Sequence, residues 1–310
     1  MNLRVECFKT MILESSGDLF DIGAMKCLKT FRCEKFRLLK RPLRMVADPF
    51  LFVYNNTLYM FYEQFRMNTK GVIAMVSTKD LENWTDPVVV LEEPYHLSFP
   101  WVFVHEDKVF MIPESGSDKS VRLYEADNDS LNHFSFVKLL VSCSNLKDSN
   151  DSFEYWFGDS TILEKEGLFY LFSSFGKNGA NELRLFLSED ITGPYREHPA
   201  SPICLSSKFG RNAGPILSSG GKDFRVAQDC VEGYGENIHV MEVDEITPTT
   251  YQEHVVHENI IPRNRCFFRN GGHQFSSVFF LGKTIVAVDA KEYNLYLWNR
   301  VLSKLGFYKD

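Results

Sequence analysis

The stretch Ala47–Glu63, ADPFLFVYNNTLYMFYE, carries the features that decide the fold. Behind Asp48-Pro49 an apolar run begins, turns at Asn55-Asn56, and continues as a second run rich in aromatic residues. Two such runs separated by turn residues are typical of a β-hairpin. The same arrangement recurs along the chain, and a unit that recurs at a nearly constant step predicts a repeat fold.

Five copies of this arrangement start near residues 48, 100, 159, 214 and 273, so the steps are 52, 59, 55 and 59 residues long. A third strand-like run follows in four copies: Gly71–Ser77, Val121–Ala126, Leu183–Ser188 and Ile238–Val243. Four strands of about five or six residues with their connections fill such a step, which is the size of one propeller blade. The sequence therefore predicts an all-β, five-bladed β-propeller with four-stranded antiparallel blades. A β-sandwich with chance spacing is the alternative.

The segments that flank the copies complete the predicted domain organisation. Residues 1–45 are expected to form N-terminal strands that pack on the propeller or complete its last blade. Residues 46–299 are assigned to the propeller, and residues 300–310 to a C-terminal extension.

Composition excludes several classes of function. The 310-residue chain has a net charge of −7. Its densest basic stretch, residues 35–44, is interrupted by apolar residues, so no nucleic-acid partner is expected. The seven cysteines are scattered and form no CxxC pair, which disfavours a disulfide scaffold or a zinc site. No apolar run has the roughly 18 residues of a membrane span. Because the N-terminus has no signal-peptide pattern, we expect a cytoplasmic protein.

Carboxylates stand at the start of two predicted blades. The first strand of each blade lines the axis of a propeller, so Asp48, Pro100, Asp159, Gly214 and His273 are expected to converge on one funnel. Asp48 and Asp159 supply the pair of carboxylates that acid–base cleavage of a glycosidic bond requires. Each of them alone could also be a turn residue.

Polar residues of the second strands are further candidates. Glu63, Glu114 and the pair Gln228-Asp229 end or interrupt apolar runs, where a charge costs free energy unless it is paired or hydrated. Arginines near the fourth copy could bind an acidic substrate group or neutralise the funnel. Aromatic residues could stack on sugar rings or belong to the core. The predicted substrate-binding residues are Glu63, His96, Trp101, Arg211, Arg225, Gln228, Tyr234 and His273. Trp156 is a further stacking candidate.

Several short strings carry a resemblance to known proteins: ADPFLF (47–52), HLSFP (96–100), MIPES (111–115) and AQDC (227–230) followed by Tyr234-Gly235. Together they resemble the N-terminal domain of plant glucosamine inositolphosphorylceramide transferases. More distantly, the chain is similar to the five-bladed glycoside hydrolases of families 43, 62, 32 and 68. The first resemblance implies a propeller that handles sugars.

The resemblance to the hydrolases implies roles for two residues. In those families an Asp that opens the first blade is the base or nucleophile, and an Asp that opens a middle blade orients it. These positions match Asp48 and Asp159. The hydrolases have their acid, a Glu, near the start of the fourth blade, where this chain has Ala213-Gly214-Pro215.

The sequence therefore predicts a glycoside hydrolase-like enzyme, with Asp48 as general base and Asp159 as its orienting partner. Glu114 is assigned as a substitute acid and Asp229 as its reserve. The alternative is a non-catalytic glycan-binding or accessory propeller that works with a glycosyltransferase in surface polysaccharide or glycolipid synthesis. A protein-interaction propeller is a third reading. No cofactor is required, although a ring of oxygen ligands would suit a calcium ion on the axis.

Overall fold

The computed structural model describes residues 4–34, 41–145, 155–177, 182–264, 267–295 and 301. Within these ranges helical geometry is confined to residue 301 and to three single turns: Ile22–Ala24, Gly116–Asp118 and Cys143–Asn145. The prediction of an all-β protein is confirmed. No helix in the described ranges is long and apolar enough to cross a membrane. The predicted extension at 300–310 lies outside the described residues, apart from residue 301.

Strands make up most of the described chain. In chain order they are β1 (Arg4–Ser15), β2 (Lys26–Phe31), β3 (Leu43–Tyr54), β4 (Thr57–Arg66), β5 (Gly71–Thr78), β6 (Val88–Leu91), β7 (Ser98–His105), β8 (Lys108–Glu114), β9 (Ser120–Ala126), β10 (Phe134–Ser142), β11 (Tyr155–Lys165), β12 (Leu168–Lys177), β13 (Glu182–Ser188), β14 (Arg196–Glu197), β15 (Cys204–Leu205), β16 (Arg211–Asn212), β17 (Leu217–Ser219), β18 (Lys222–Asp229), β19 (Asn237–Ile246), β20 (Tyr251–His257), β21 (Phe275–Phe280) and β22 (Lys283–Leu295). The four predicted third strands correspond to β5, β9, β13 and β19.

Antiparallel pairing groups these strands into successive units along the chain. Three sheets are β7–β10, β11–β15 and β16–β20. The eight-stranded sheet contains two antiparallel runs, β3-β4-β5-β6 and β21-β22-β1, with β2 paired to β1. One parallel pairing, between Phe8 of β1 and Met45 of β3, joins the two runs. The N-terminal strands thus pair with the last hairpin of the chain, and β1 and β22 match along the whole length of β1.

Apolar cores lie between neighbouring units. One core joins Phe52 and Phe61 of the first unit to Met111 of the second, and another joins Trp101 to Phe157 of the third. Further clusters contain members of the remaining neighbours: Phe172 with Val243, Val226 with Phe275, and Ile12 with Leu58. Each of these clusters therefore contains residues of two units that are neighbours in this order.

A β-bulge interrupts each of three strands that begin a unit, which we call inner strands. In β3, β7 and β11 the register shifts before the apolar run, and one residue of each bulge has left-handed backbone. These residues are Asp48 (φ 50°), Phe99 (φ 46°) and Asp159 (φ 46°). Phe99, one residue before the predicted Pro100, holds this place in β7. Bulges of this kind re-aim a side chain, and strained backbone concentrates at functional sites.

Candidate functional site

A cavity of about 470 Å³ opens at the bulged ends of the inner strands. Its walls come from strands of several units and from the turn after β8. The residues that line it are Phe8, Met45, Asp48, Glu63, Phe65, His96, Ser98, Glu114, Gly116, Ser117, Trp156, Arg211, Tyr234 and His273. Six of the predicted site residues meet there together with the predicted base: Glu63, His96, Glu114, Arg211, Tyr234 and His273.

Two groups hold the carboxylate of Asp48, which lines the cavity. Its Oδ1 lies 3.1 Å from Nε2 of His273, and its Oδ2 accepts the backbone N–H of Phe99 at 3.1 Å. On the other side of the ring, Nδ1 of His273 lies 2.7 Å from Oδ2 of Asp289. The other oxygen of Asp289 accepts the backbone N–H groups of His273 and Gln274. The imidazole is therefore held between two buried carboxylates.

This arrangement sets the charges of the cluster. Burial opposes the imidazolium, but Asp289 and Asp48 raise the pKa of His273 well above its ordinary value of 6.5. Burial also opposes ionisation of Asp48, but the His273 charge and the Phe99 N–H outweigh it and lower the pKa of Asp48. Asp48 is consequently an ionised carboxylate at neutral pH.

A second cluster is built around the guanidinium of Arg211. Its Nε donates to Oδ2 of Asp159 at 2.5 Å, and its Nη2 donates to Oε2 of Glu114 at 3.1 Å. Gln228 also donates to Oδ2 of Asp159, at 2.9 Å. Asp159 is buried behind Arg211 and does not line the cavity, whereas Glu114 does. Arg211 thus links the predicted orienting Asp to the predicted acid.

Two carboxyl groups share one cation in this cluster. Burial raises the pKa of Asp159 well above its ordinary value; Arg211 opposes this rise and the nearby Glu114 adds to it. Both carboxyl groups thus contact the same guanidinium, that of Arg211, and their pairing depends on it.

Glu63 and His96 form a third polar pair in the wall. Nε2 of His96 lies 3.2 Å from Oε1 of Glu63. The backbone N–H of Gly71 donates to Nδ1 of the same ring at 2.9 Å. Burial raises the pKa of Glu63, and the His96 contact only partly opposes this rise.

Aromatic rings form the apolar part of the wall. Tyr234 lies over the Arg211 guanidinium, with 5.1 Å between the guanidinium carbon and the ring centre, and Phe8 packs on the His273 ring at 4.4 Å. Trp156 lies against Gly116, where a Cβ would come within 2.5 Å of the indole. Rings beside carboxylates are the usual lining of a site for polyhydroxylated ligands, because sugar rings have both apolar faces and hydroxyl groups.

Besides Asp159, four predicted site residues do not line the cavity. Arg225 is fully buried and donates twice to Glu253, so it joins β18 to β20. Trp101 stacks on Phe103 in the core between units. Gln228 donates to Asp159. Asp229 lines a different cavity and lies 3.3 Å from Nε2 of His239.

Sequence reasoning missed Asp289, although the pattern contained a signal for it. Glu63, Glu114 and Gln228 face the inner-strand residues Ala47, Ser98 and Arg211. In the last unit Asp289 occupies the same place, since its N–H donates to the Gln274 carbonyl. It also ends the apolar run TIVAV of the fifth copy, as Glu63 ends that of the first.

Asp48, His273 and Asp289 are also close enough together to be considered as metal ligands. However, both ring nitrogens of His273 face carboxylates. An imidazolium between two carboxylates balances part of their charge by itself, so the three side chains have a pairing that requires no metal ion. A calcium ion elsewhere on the axis stays a prediction.

Solved structures that are similar to this chain include glycoside hydrolases. An α-L-arabinofuranosidase of Clostridium thermocellum is 20% identical, with a TM-score of 0.56 over 77% of this chain and 80% of that one. A family 117 glycoside hydrolase of Zobellia galactanivorans is 12% identical, with a TM-score of 0.55 over the whole of both chains. At these identities the likeness shows the propeller-type fold and nothing of the activity.

Relatives in sequence are glycosyltransferases. Glucosamine inositolphosphorylceramide transferase 1 of Oryza sativa subsp. japonica is 32% identical over 68% of this chain, and that of Arabidopsis thaliana is 30% identical over 71%. The chain spans only 28% of the length of either relative. Residues 28–274 match the family described as glucosamine inositolphosphorylceramide transferase 1, N-terminal. The chain belongs to this N-terminal family.

Proposed function

We propose that the protein is a glycoside hydrolase-like enzyme whose cavity binds a carbohydrate and cleaves a glycosidic bond with carboxyl groups. The observation that carries this proposal is Asp48. It has a left-handed backbone, its pKa is lowered, and its side chain lines a cavity with aromatic walls. A strained, ionised carboxylate beside an open cavity is the arrangement of a general base.

We also propose that the units close into a ring of five blades. The two antiparallel runs of the largest sheet then count as the first and the fifth blade. The apolar cores between successive units support this, as does the core that joins Ile12 to Leu58. In such a ring β1 completes the fifth blade, and the predicted boundary at residue 45 falls close to the start of β3 at Leu43.

In the proposed reaction Asp48 takes a proton from the attacking water. Asp159 acts through Arg211, which it holds in place, and is therefore a positioning residue. Tyr234 and Trp156 offer rings for the sugar to pack on, and Ser98 lines the wall beside them. His273 keeps Asp48 ionised and oriented.

The test is hydrolysis of a panel of aryl glycosides and surface glycans by the wild type and by Asp48→Asn. Asparagine tolerates the left-handed backbone, so this variant removes the charge while it respects the bulge. Asp86→Asn changes an exposed Asp and serves as the matched control. We expect turnover by the wild type and the control and a loss of about 10²-fold or more in Asp48→Asn. Full activity in Asp48→Asn would overturn the proposed role.

The second candidate function is a non-catalytic glycan-binding propeller that assists a glycosyltransferase. It is favoured by Ala213-Gly214-Pro215, which stand where the hydrolases that the chain resembles have their acid. The full-length relatives are named as transferases, which agrees with such a partnership. Sugar binding that survives Asp48→Asn, without turnover on any substrate, would favour this candidate. Cytoplasmic residence also stays a prediction.

A further inference from the structure

Glu63 differs from the other carboxyl groups of the cavity wall in its partners. Asp48 lies against His273 and Glu114 against Arg211. Among the residues that the structure describes, no lysine or arginine forms an ion pair with Glu63, and its side chain contacts His96 instead. Only 5% of Glu63 is exposed. The partner of this buried carboxyl group is therefore a titratable imidazole and not a fixed cation.

The tautomer of His96 follows from the backbone. Because the Gly71 N–H donates to Nδ1, that nitrogen carries a lone pair and the proton of the neutral ring is on Nε2. Nε2–H then donates to Oε1 of Glu63. The carboxyl proton of Glu63 is left to Oε2, on a side chain that lines the cavity.

We infer that Glu63 is the general acid of the proposed reaction and that His96 is its positioning residue. This inference rests on the proposed glycosidase function. The Oε2–H of Glu63 gives its proton to the glycosidic oxygen as the bond from that oxygen to the anomeric carbon breaks. Asp48 accepts a proton from the water whose oxygen forms the new bond to that carbon. Exchange with solvent then returns a proton to Glu63 and removes one from Asp48.

Electrostatics agrees with this division of roles. Burial raises the pKa of Glu63, while His273 and the Phe99 N–H lower that of Asp48 against the effect of burial. Two carboxyl groups of one cavity whose pKa values move apart are the arrangement of an acid and a base. Glu114, the acid that the sequence suggested, instead accepts a hydrogen bond from Arg211 and serves to hold that guanidinium.

The experiment compares the wild type, Glu63→Gln and Glu82→Gln on glycosides with good and poor leaving groups. Glutamine keeps the shape of Glu63 and an oxygen for the His96 Nε2–H. Glu82 is exposed in a turn and is the matched control. We expect Glu63→Gln to lose about 10²–10⁴-fold in kcat/KM on poor leaving groups, and little on dinitrophenolate, which departs without a proton. The alkaline limb of the pH–rate profile should also disappear in this variant.

Infrared spectroscopy at neutral pH supplies a readout without substrate. The band of a protonated carboxyl group should be present in the wild type and weaker in Glu63→Gln, and unchanged in Glu82→Gln. Two results with an active wild type would overturn the assignment of Glu63 alone. One is a loss of activity in Glu63→Gln that does not depend on the leaving group. The other is an infrared spectrum of Glu63→Gln that equals that of the wild type. A wild type that hydrolyses no glycoside would overturn the proposed function, and the assignment with it.

Discussion

At the scale of the residue, the pKa of His273 makes folding stability depend on pH. Because this pKa is raised in the folded state, His273 contributes stability that is fully present below its ordinary value of 6.5 and is lost as the pH rises through the folded value. The gap in unfolding free energy between the wild type and His273→Gln should therefore shrink as the pH rises above 6.5. Denaturant titrations over a pH series measure it. His254→Gln removes an exposed histidine and is the matched control for the substitution itself.

The pKa of Asp48 makes folding stability depend on pH in the opposite sense, at acidic pH. Its pKa is lowered, so its contribution is present above its ordinary value of 3.8 and is lost as the pH falls through the folded value. Asp48→Asn should therefore flatten the acid limb of the stability curve. The same denaturant titrations check this, and an unchanged acid limb would contradict the role of the His273 charge.

The cluster around Arg211 gives a contrast between two substitutions. Asp159→Asn keeps the shape of the side chain and leaves Arg211 paired with Glu114, so it should cost about 1 kcal/mol or less. Arg211→Met leaves the buried carboxyl group of Asp159 and that of Glu114 without their shared cation and should cost about 3–5 kcal/mol. Unfolding by urea measures both costs. Equal costs would contradict the central place of Arg211 in the cluster.

At the scale of the element, the first residue of β5 positions the proposed acid. A Cβ on Gly71 would lie 2.7 Å from Cε1 of His96 and 2.5 Å from the Leu97 carbonyl. Gly71→Ala should therefore displace His96 and lower kcat far more than it raises KM, while the fold survives. Kinetics on a poor leaving group with a thermal melt as control tests this. A normal kcat would show that the position of His96 does not matter.

Elements and site residues differ in how far the sequence could predict them. The alternating apolar runs predicted the hairpins and four third strands, because strand periodicity is local. The residue expected at the axis in the second copy is Pro100, whereas the left-handed residue of the bulge is Phe99. The pairing of β7 with β8 fixes this register, and the sequence of β7 alone does not contain it. Trp101 and Trp156 could not be told apart, because the next unit decides which ring faces the cavity. Arg225 looked like a binding residue because its partner Glu253 lies on another strand.

At the scale of the whole molecule, closure depends on β1, which is hydrogen-bonded to β22 and touches β3. Ile12 of β1 is fully buried in the core that joins the last unit to the first. Ile12→Ala should therefore cost about 2–5 kcal/mol. In the proposed ring each core is shared by two units, so the loss of stability in Ile12→Ala should affect every unit.

The measurement is urea unfolding of Ile12→Ala followed by circular dichroism and by tryptophan fluorescence. Trp101 and Trp156 report on units away from the closing strand, whereas Trp84 packs against the core that contains Ile12. We expect both probes to give one shared midpoint, lower than that of the wild type, because a closed ring opens as one cooperative unit. If fluorescence kept the wild-type midpoint while circular dichroism shifted, the last unit would be opening by itself. The proposed ring would then be a row of separately stable sheets.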